Sequence, residues 1–122
     1  MNKKILVCDD DHDILEITRL ILEEEGYRVL TETGSFHLVE RAISERPDLL
    51  LLDLWMPLLP GDELARQIRS TPELTGIPIV IFSATGEGKQ RAMQAGADCF
   101  VTKPFDIDEL LTTIDHCLHR SR

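Results

Sequence analysis

Five short apolar stretches recur along this 122-residue chain, separated by segments whose apolar residues fall at helical spacing. The most apolar is Leu49-Leu50-Leu51-Leu52-Asp53-Leu54. With no polar alternation, it reads as a strand over Asp48 to Leu54 buried on both faces, the habit of central strands in parallel sheets. Lys4 to Cys8 is a second such run and ends on Asp9-Asp10-Asp11. Arg28 to Thr33 is more polar and belongs nearer an edge, and Ile79 to Phe82 and Cys99 to Thr102 complete the set. Between them, helices are predicted on Ile14, Ile17, Leu20 and Ile21 before Gly26, and on Leu38, Val39, Ala42 and Ile43 before Pro47. Leu64, Ala65 and Ile68 mark a third, and Ala92, Met93 and Ala95 a short fourth that stops at Gly96. Leu110, Leu111, Ile114 and Leu118 mark the last. Ser35 is placed to cap the second helix, and Asp106 with Glu109 gives a capping box for the fifth. Short strand-helix units of this kind close through right-handed crossovers, so the expected fold is α/β: one doubly wound, five-stranded parallel sheet in a three-layer αβα domain covering residues 1–122.

Composition narrows the chemistry. Phe, Tyr and Trp together number 6, so the core must be aliphatic. A formal net charge of −9 argues against nucleic-acid contact, which depends on Lys and Arg neutralising phosphates. No apolar run reaches membrane-spanning length and nothing resembles a signal peptide, so a cytoplasmic protein is expected. Cys8, Cys99 and Cys117 are odd in number and lack CxxC spacing, which suits a reducing compartment and gives no disulfide framework. His116, Cys117 and His119 crowd one short helix and have no evident fourth ligand for a metal.

In a parallel sheet every strand ends at the same edge, so Asp9 and Asp10, Asp53, Ser83 and Lys103 arrive at one place from four strands. Singly, each has an ordinary explanation as a cap, a turn hydroxyl or a solvated charge. Together they form a constellation. Carboxylates packed at one edge repel by up to several kcal/mol at an effective dielectric of about 20 unless a cation compensates. Oxygen ligands from only two segments, with room left over, suit Mg²⁺ bridging to a phosphate. Asp53 can then act as a nucleophile toward phosphorus, with Lys103 and the Ser83 hydroxyl left to meet the phosphoryl oxygens.

These residues carry a resemblance to the response-regulator receiver domains of two-component signalling. It spans essentially the whole chain and rests on the acidic pair Asp9-Asp10, on Asp53-Leu54-Trp55-Met56-Pro57 with Gly61, on Ser83-Ala84, on Gly96-Ala97-Asp98 and on Lys103-Pro104-Phe105. The resemblance implies a flavodoxin-like sheet order of 2-1-3-4-5, with Asp53 as phosphoacceptor. It also implies Mg²⁺ held by Asp10, Asp53 and the Trp55 carbonyl, with Asp9 acting largely through water. Ser83 and Lys103 would contact the phosphoryl group, and Ser83 and Phe100 would form the switch. The implied partners are a histidine kinase or phosphotransfer protein upstream, and downstream either a protein target or an effector domain removed from this chain. The domain is expected to be a monomer or a weak phosphorylation-dependent dimer, and a switch instead of a turnover enzyme. Two readings compete. A haloacid-dehalogenase-like hydrolase needs a second aspartate where Trp55 stands, and a degenerate receiver would bind partners without phosphorylation. Two departures from the family pattern are visible. The segment from Ser83 to Gly96 is about two residues short, so the fourth helix, which borders the family's usual output surface, should be short or mobile. Trp55 is bulky for its position and is expected to shield an acyl phosphate from water.

Overall fold

The computed structural model describes residues 2–57, 59–84, 86–102 and 106–119. Its strands are β1 (Lys4–Cys8), β2 (Arg28–Glu32), β3 (Leu49–Asp53), β4 (Ile79–Ser83) and β5 (Cys99–Thr102). The helices are α1 (His12–Glu24), α2 (Leu38–Glu45), α3 (Gly61–Arg69), α4 (Lys89–Gln94) and α5 (Ile107–Leu118). All four strand pairings are parallel, in the order β2-β1-β3-β4-β5. This is the flavodoxin-like arrangement expected.

The unbroken apolar run of β3 is explained by its two faces. Leu50 and Leu52 join Leu6, Ile79 and Ile81 in one apolar layer, closed by Leu38, Ala42, Leu64, Ile68 and Ala92 of α2, α3 and α4. Leu49 and Leu51 join Ile5, Val7, Val80 and Phe82 in the other, closed by Leu15 and Leu22 of α1 and by Leu110 and Ile114 of α5. Every residue of β3 and β4 is buried. Fully burying one such aliphatic side chain contributes about 1.5–3 kcal/mol, so this double-sided stack dominates the stability of the domain.

Two helix starts, those of α1 and α5, are capped by an aspartate side chain. Asp11 caps α1, its Oδ1 accepting from the amides of Asp13 at 2.9 Å and Ile14 at 3.2 Å. Asp106 does the same for α5 through the amides of Asp108 and Glu109. Ser35 does not cap α2 as expected. It opens a 3-10 turn over Ser35–His37, and His37 occupies the cap position without a side-chain hydrogen bond. In α1 the buried stripe runs through Leu15, Thr18 and Leu22, while Ile17 and Leu20 lie half exposed. The apolar residues of that helix are spread more widely than its contact face. No helix among the described residues is long and apolar enough to cross a membrane.

Candidate functional site

Register decides which side chains meet. β1 and β3 are neighbours with Cys8 opposite Leu52, so the next residue on each, Asp9 and Asp53, leaves the sheet at the same edge. Asp53 is in turn opposite Phe82, and Ser83 ends β4 beside it. Carboxylate oxygens of Asp9, Asp10 and Asp53 lie within 4.8 Å of one another. Asp9 and Asp53 are buried and Asp10 is exposed, so the cluster opens to solvent on one side. Asp9 is fixed in place by its own chain, its amide donating to the Glu32 carbonyl at 3.2 Å and its Oδ1 accepting from the Asp11 amide at 2.9 Å. Of the three sequential aspartates, Asp11 therefore serves α1 and the other two serve the site.

The negative field reaches the core beneath. The Cys8 thiol is pushed up to about 12, first by burial and then by the charges of Glu32, Asp9, Asp53 and Asp10. Three clustered carboxylates with one open side are an all-oxygen donor set of the kind a hard divalent cation takes, so these residues fit Mg²⁺. Among the described residues they are the only group of three or more acidic, His or Cys side chains close enough to hold a metal.

Close packing brings α3 against the end of β3. A Cβ at Gly61 would lie 2.3 Å from the Asp53 carbonyl oxygen, and the Gly61 amide donates to the Leu54 carbonyl at 2.9 Å. A glycine at this point lets a helix start directly behind the strand-end carboxylate. On the other flank, a Cβ at Gly88 would fall 2.0 Å from Leu54 Cδ2 and 3.6 Å from Trp55 Cζ2. Trp55 itself is 48% exposed, with the Arg91 guanidinium 4.8 Å from its ring centroid. Arg91 also grips Asp62 of α3, Nε to Oδ2 at 2.6 Å and a terminal nitrogen to Oδ1 at 3.1 Å. Burial would raise the Asp62 carboxyl, but the hydrogen bond and charge of Arg91, with the amides of Asp62 and Glu63, outweigh it and hold the group below the usual carboxylate range.

Asp9, Asp10, Asp53 and Ser83 are thus brought to one edge as expected. Trp55 stands in the loop leaving Asp53. Phe100 sits half-buried in β5, packed on the apolar layer of α2, α3 and α4. Lys103, with Pro104 and Phe105, lies outside the described residues. The fourth helix is short, six residues preceded by a 3-10 turn over Gly86–Gly88. The Gly96-Ala97-Asp98 stretch has a structural role. Arg69 of α3 donates to the Gly96 carbonyl at 2.9 and 2.7 Å and to Asp98 at 2.9 Å, and Asp98 also accepts from the Ile79 amide at 2.8 Å. Gly96 has φ 106°, which favours glycine. The Asp62–Arg91–Trp55 contact was missed by sequence reasoning, because residues 29 apart on separate helices leave no local pattern.

Fold and site together define a doubly wound α/β domain with an acidic cluster at its strand ends, and comparison with known proteins gives its family. A sequence profile of the response regulator receiver domain matches residues 5–115. The chain belongs to that family, the receiver domains of two-component signalling. It is 37% identical to the alkaline phosphatase synthesis transcriptional regulatory protein PhoP of Bacillus subtilis, over 99% of this chain and 50% of that protein. The chain thus spans about half the length of the curated relatives it matches. Among solved structures, the chemotaxis protein CheY4 of Vibrio cholerae superposes with a TM-score of 0.89 at 27% identity, covering 96% of this chain and 99% of that one. The receiver domain of the sensor histidine kinase PA1611 from Pseudomonas aeruginosa, solved with a magnesium ion coordinated in its active site cleft, gives 0.90 at 25% identity, covering 98% of this chain and 100% of that one.

Proposed function

We propose that this domain is a switch phosphorylated on Asp53, receiving its phosphoryl group from a histidine kinase or phosphotransfer protein. The observation that carries the reading is the meeting of Asp9, Asp10 and Asp53 oxygens within 4.8 Å at the strand ends, with Ser83 buried on the adjacent strand. A carboxylate is ordinarily ionised near neutral pH, so an aspartate nucleophile calls for no separate base. One Asp53 oxygen attacks phosphorus, an O–P bond forms, and the bond to the donor's nitrogen or oxygen breaks with its electron pair leaving on the donor.

Asp9, Asp10, Asp53 and the Trp55 carbonyl would hold Mg²⁺, which when bound supplies positive charge for the phosphoryl oxygens. The Ser83 hydroxyl donates to one of those oxygens and the Lys103 ammonium pairs with another. Hydrogen bonding to the new group draws Ser83 toward it, and Phe100 turns into the space released, so a local charge event alters the β4–α4–β5 surface. The domain works on itself once per phosphoryl group and turns over no separate substrate. In this reading it acts in the cytoplasm, makes no nucleic-acid contact of its own and signals to a protein target or an attached effector domain.

The test is intact mass after incubation with a small phosphodonor and Mg²⁺, for wild type and Asp53→Ala and with metal omitted. One phosphate is expected in wild type and none in the other two. No adduct in wild type would reduce the domain to a phosphorylation-independent binding module.

A further inference from the structure

We propose that Cys99 and Cys117 form a redox site, a dithiol that a hydroperoxide converts into an intramolecular disulfide between β5 and α5. Their spacing of 18 residues carries no recognisable motif, yet the fold brings the two Sγ atoms to 2.7 Å, a contact in which either thiol can donate. Both sulfurs ride on fixed elements. Cys99 begins β5 and is paired in register with Val80 of β4. Cys117 lies in the last turn of α5, in the same apolar layer as Leu110 and Ile114, which anchor that helix to the sheet. Both cysteines are therefore carried by elements held to the sheet, which keeps them neighbours.

Their surroundings differ, and this divides the roles. Cys117 is 1% exposed. Cys99 is half-buried and lines a cavity of about 410 Å³ together with Lys89, Met93, Asp98, Phe100 and His116. A small peroxide can reach Cys99 through that cavity but cannot meet Cys117 first. Cys8 is a contrasting case, fully buried against Met56 and beneath the acidic cluster, and it serves as an internal spectator.

The chemistry balances without any other reactant. The Cys99 thiolate attacks one peroxide oxygen, an S–O bond forms, the O–O bond breaks and the departing alkoxide takes a proton, leaving a sulfenic acid. The Cys117 thiol, losing its proton, attacks the Cys99 sulfur; the S–S bond forms, the S–O bond breaks and the hydroxide leaves as water. Two thiols and one hydroperoxide give one disulfide, one alcohol and one water, with two electrons passing to the peroxide. In a reducing compartment such a bridge is transient, which suits a sensor. It would tie the start of β5, next to Phe100, to the end of α5, and so stiffen one side of the cavity between β5, α4 and α5.

The test uses the full chain and hydrogen peroxide, followed by denaturation and maleimide labelling. Reduced protein should label at its three cysteines, and oxidised protein at Cys8 alone. Lys103 precedes Pro104, so trypsin leaves both cysteines on one peptide from Ala92 to Arg120, which should lose about 2 Da and regain it with dithiothreitol. In Cys117→Ala, peroxide should leave a sulfenic acid on Cys99 that dimedone traps. In Cys99→Ser, whose altered side chain is half exposed, both remaining thiols should survive. Asp53→Ala should oxidise like wild type, so the result stands apart from the phosphoacceptor reading. Three labelled thiols after peroxide, a bridge between two chains, or oxidation consuming Cys8 would each overturn the proposal.

Discussion

Gly61→Ala isolates the close approach of α3 to the backbone of Asp53. Alanine normally stabilises the first turn of a helix, by up to ~1 kcal/mol relative to glycine. Here the added Cβ would lie 2.3 Å from the Asp53 carbonyl oxygen and 3.0 Å from the Leu54 Cα, both backbone atoms that no side-chain rotation can clear. Ordinary van der Waals contact begins near 3.4 Å, so the start of α3 and the end of β3 must separate by about 1 Å. That movement strains the 2.9 Å bond from the Gly61 amide to the Leu54 carbonyl. Losing such a bond costs about 1 kcal/mol, and forced overpacking about 1–3 kcal/mol more. After subtracting the propensity gain, the variant should be less stable by roughly 2 kcal/mol, a fall of about 1 M in the urea midpoint. Gly76→Ala is the control: nothing lies within 4 Å of its Cβ and its φ is not positive, so it should hold stability or raise it by ~0.4–1 kcal/mol. Urea unfolding followed by circular dichroism and by the single tryptophan, Trp55, reads both variants. If Gly61→Ala matched Gly76→Ala within about 0.5 kcal/mol, the helix start would be free to yield and the argument for a rigid seat beneath Asp53 would fail.

Two further outcomes follow from the shifted groups. Asp62 is held below the usual carboxylate range, so its folded-state preference for the charged form contributes stability above its ordinary value of 3.8 and loses that contribution as the pH falls through the lowered folded value. Asp62→Asn should accordingly be less stable than wild type near neutrality, and the two urea midpoints should converge in acid; a gap that stays constant down to pH about 2 would sink the assignment. Cys8 is shifted the opposite way, from 9.0 to about 12, so the unfolded chain releases that proton first and stability should fall as the pH rises through this window. The loss approaches about 1.4 kcal/mol per pH unit, and the alkaline slope of Cys8→Ala should be shallower by that amount in denaturation series across the same range.

What the chain disclosed in advance is what depends on one segment at a time. Four leucines before Asp53 declare a strand buried on both faces, and parallel strands must then deliver their terminal residues to one edge, so Asp9, Asp53 and Ser83 could be placed together before any distance was measured. Ser35 misled for a related reason. A serine ahead of an apolar run has capping chemistry, but the chain makes a 3-10 turn there and the hydroxyl takes no part in starting α2. The apolar residues of α1 likewise gave its period without its orientation, since Ile17 and Leu20 satisfy the spacing and still face solvent.

Contacts between elements distant in sequence stayed hidden, because no periodicity encodes them. Arg69 holding Gly96 and Asp98, Arg91 holding Asp62 against Trp55, and the sulfurs of Cys99 and Cys117 all depend on where helices settle over the sheet. Two of these contacts share a location: Arg69 with Asp98 and Arg91 with Asp62 lie around the short α4, whereas Cys99 meets Cys117 on the α1 and α5 side of the sheet. A six-residue helix buries little apolar surface of its own, Ala92 being its one buried residue, and cannot be held by packing alone. The polar ties from Arg91 and the tight fit of Gly88 against Leu54 supply the missing anchorage, and they run to the loop that leaves Asp53. A movement of that loop therefore has a direct mechanical route to α4, through Leu54 against Gly88 and Trp55 against Arg91, in addition to the longer route proposed above through Ser83 and Phe100.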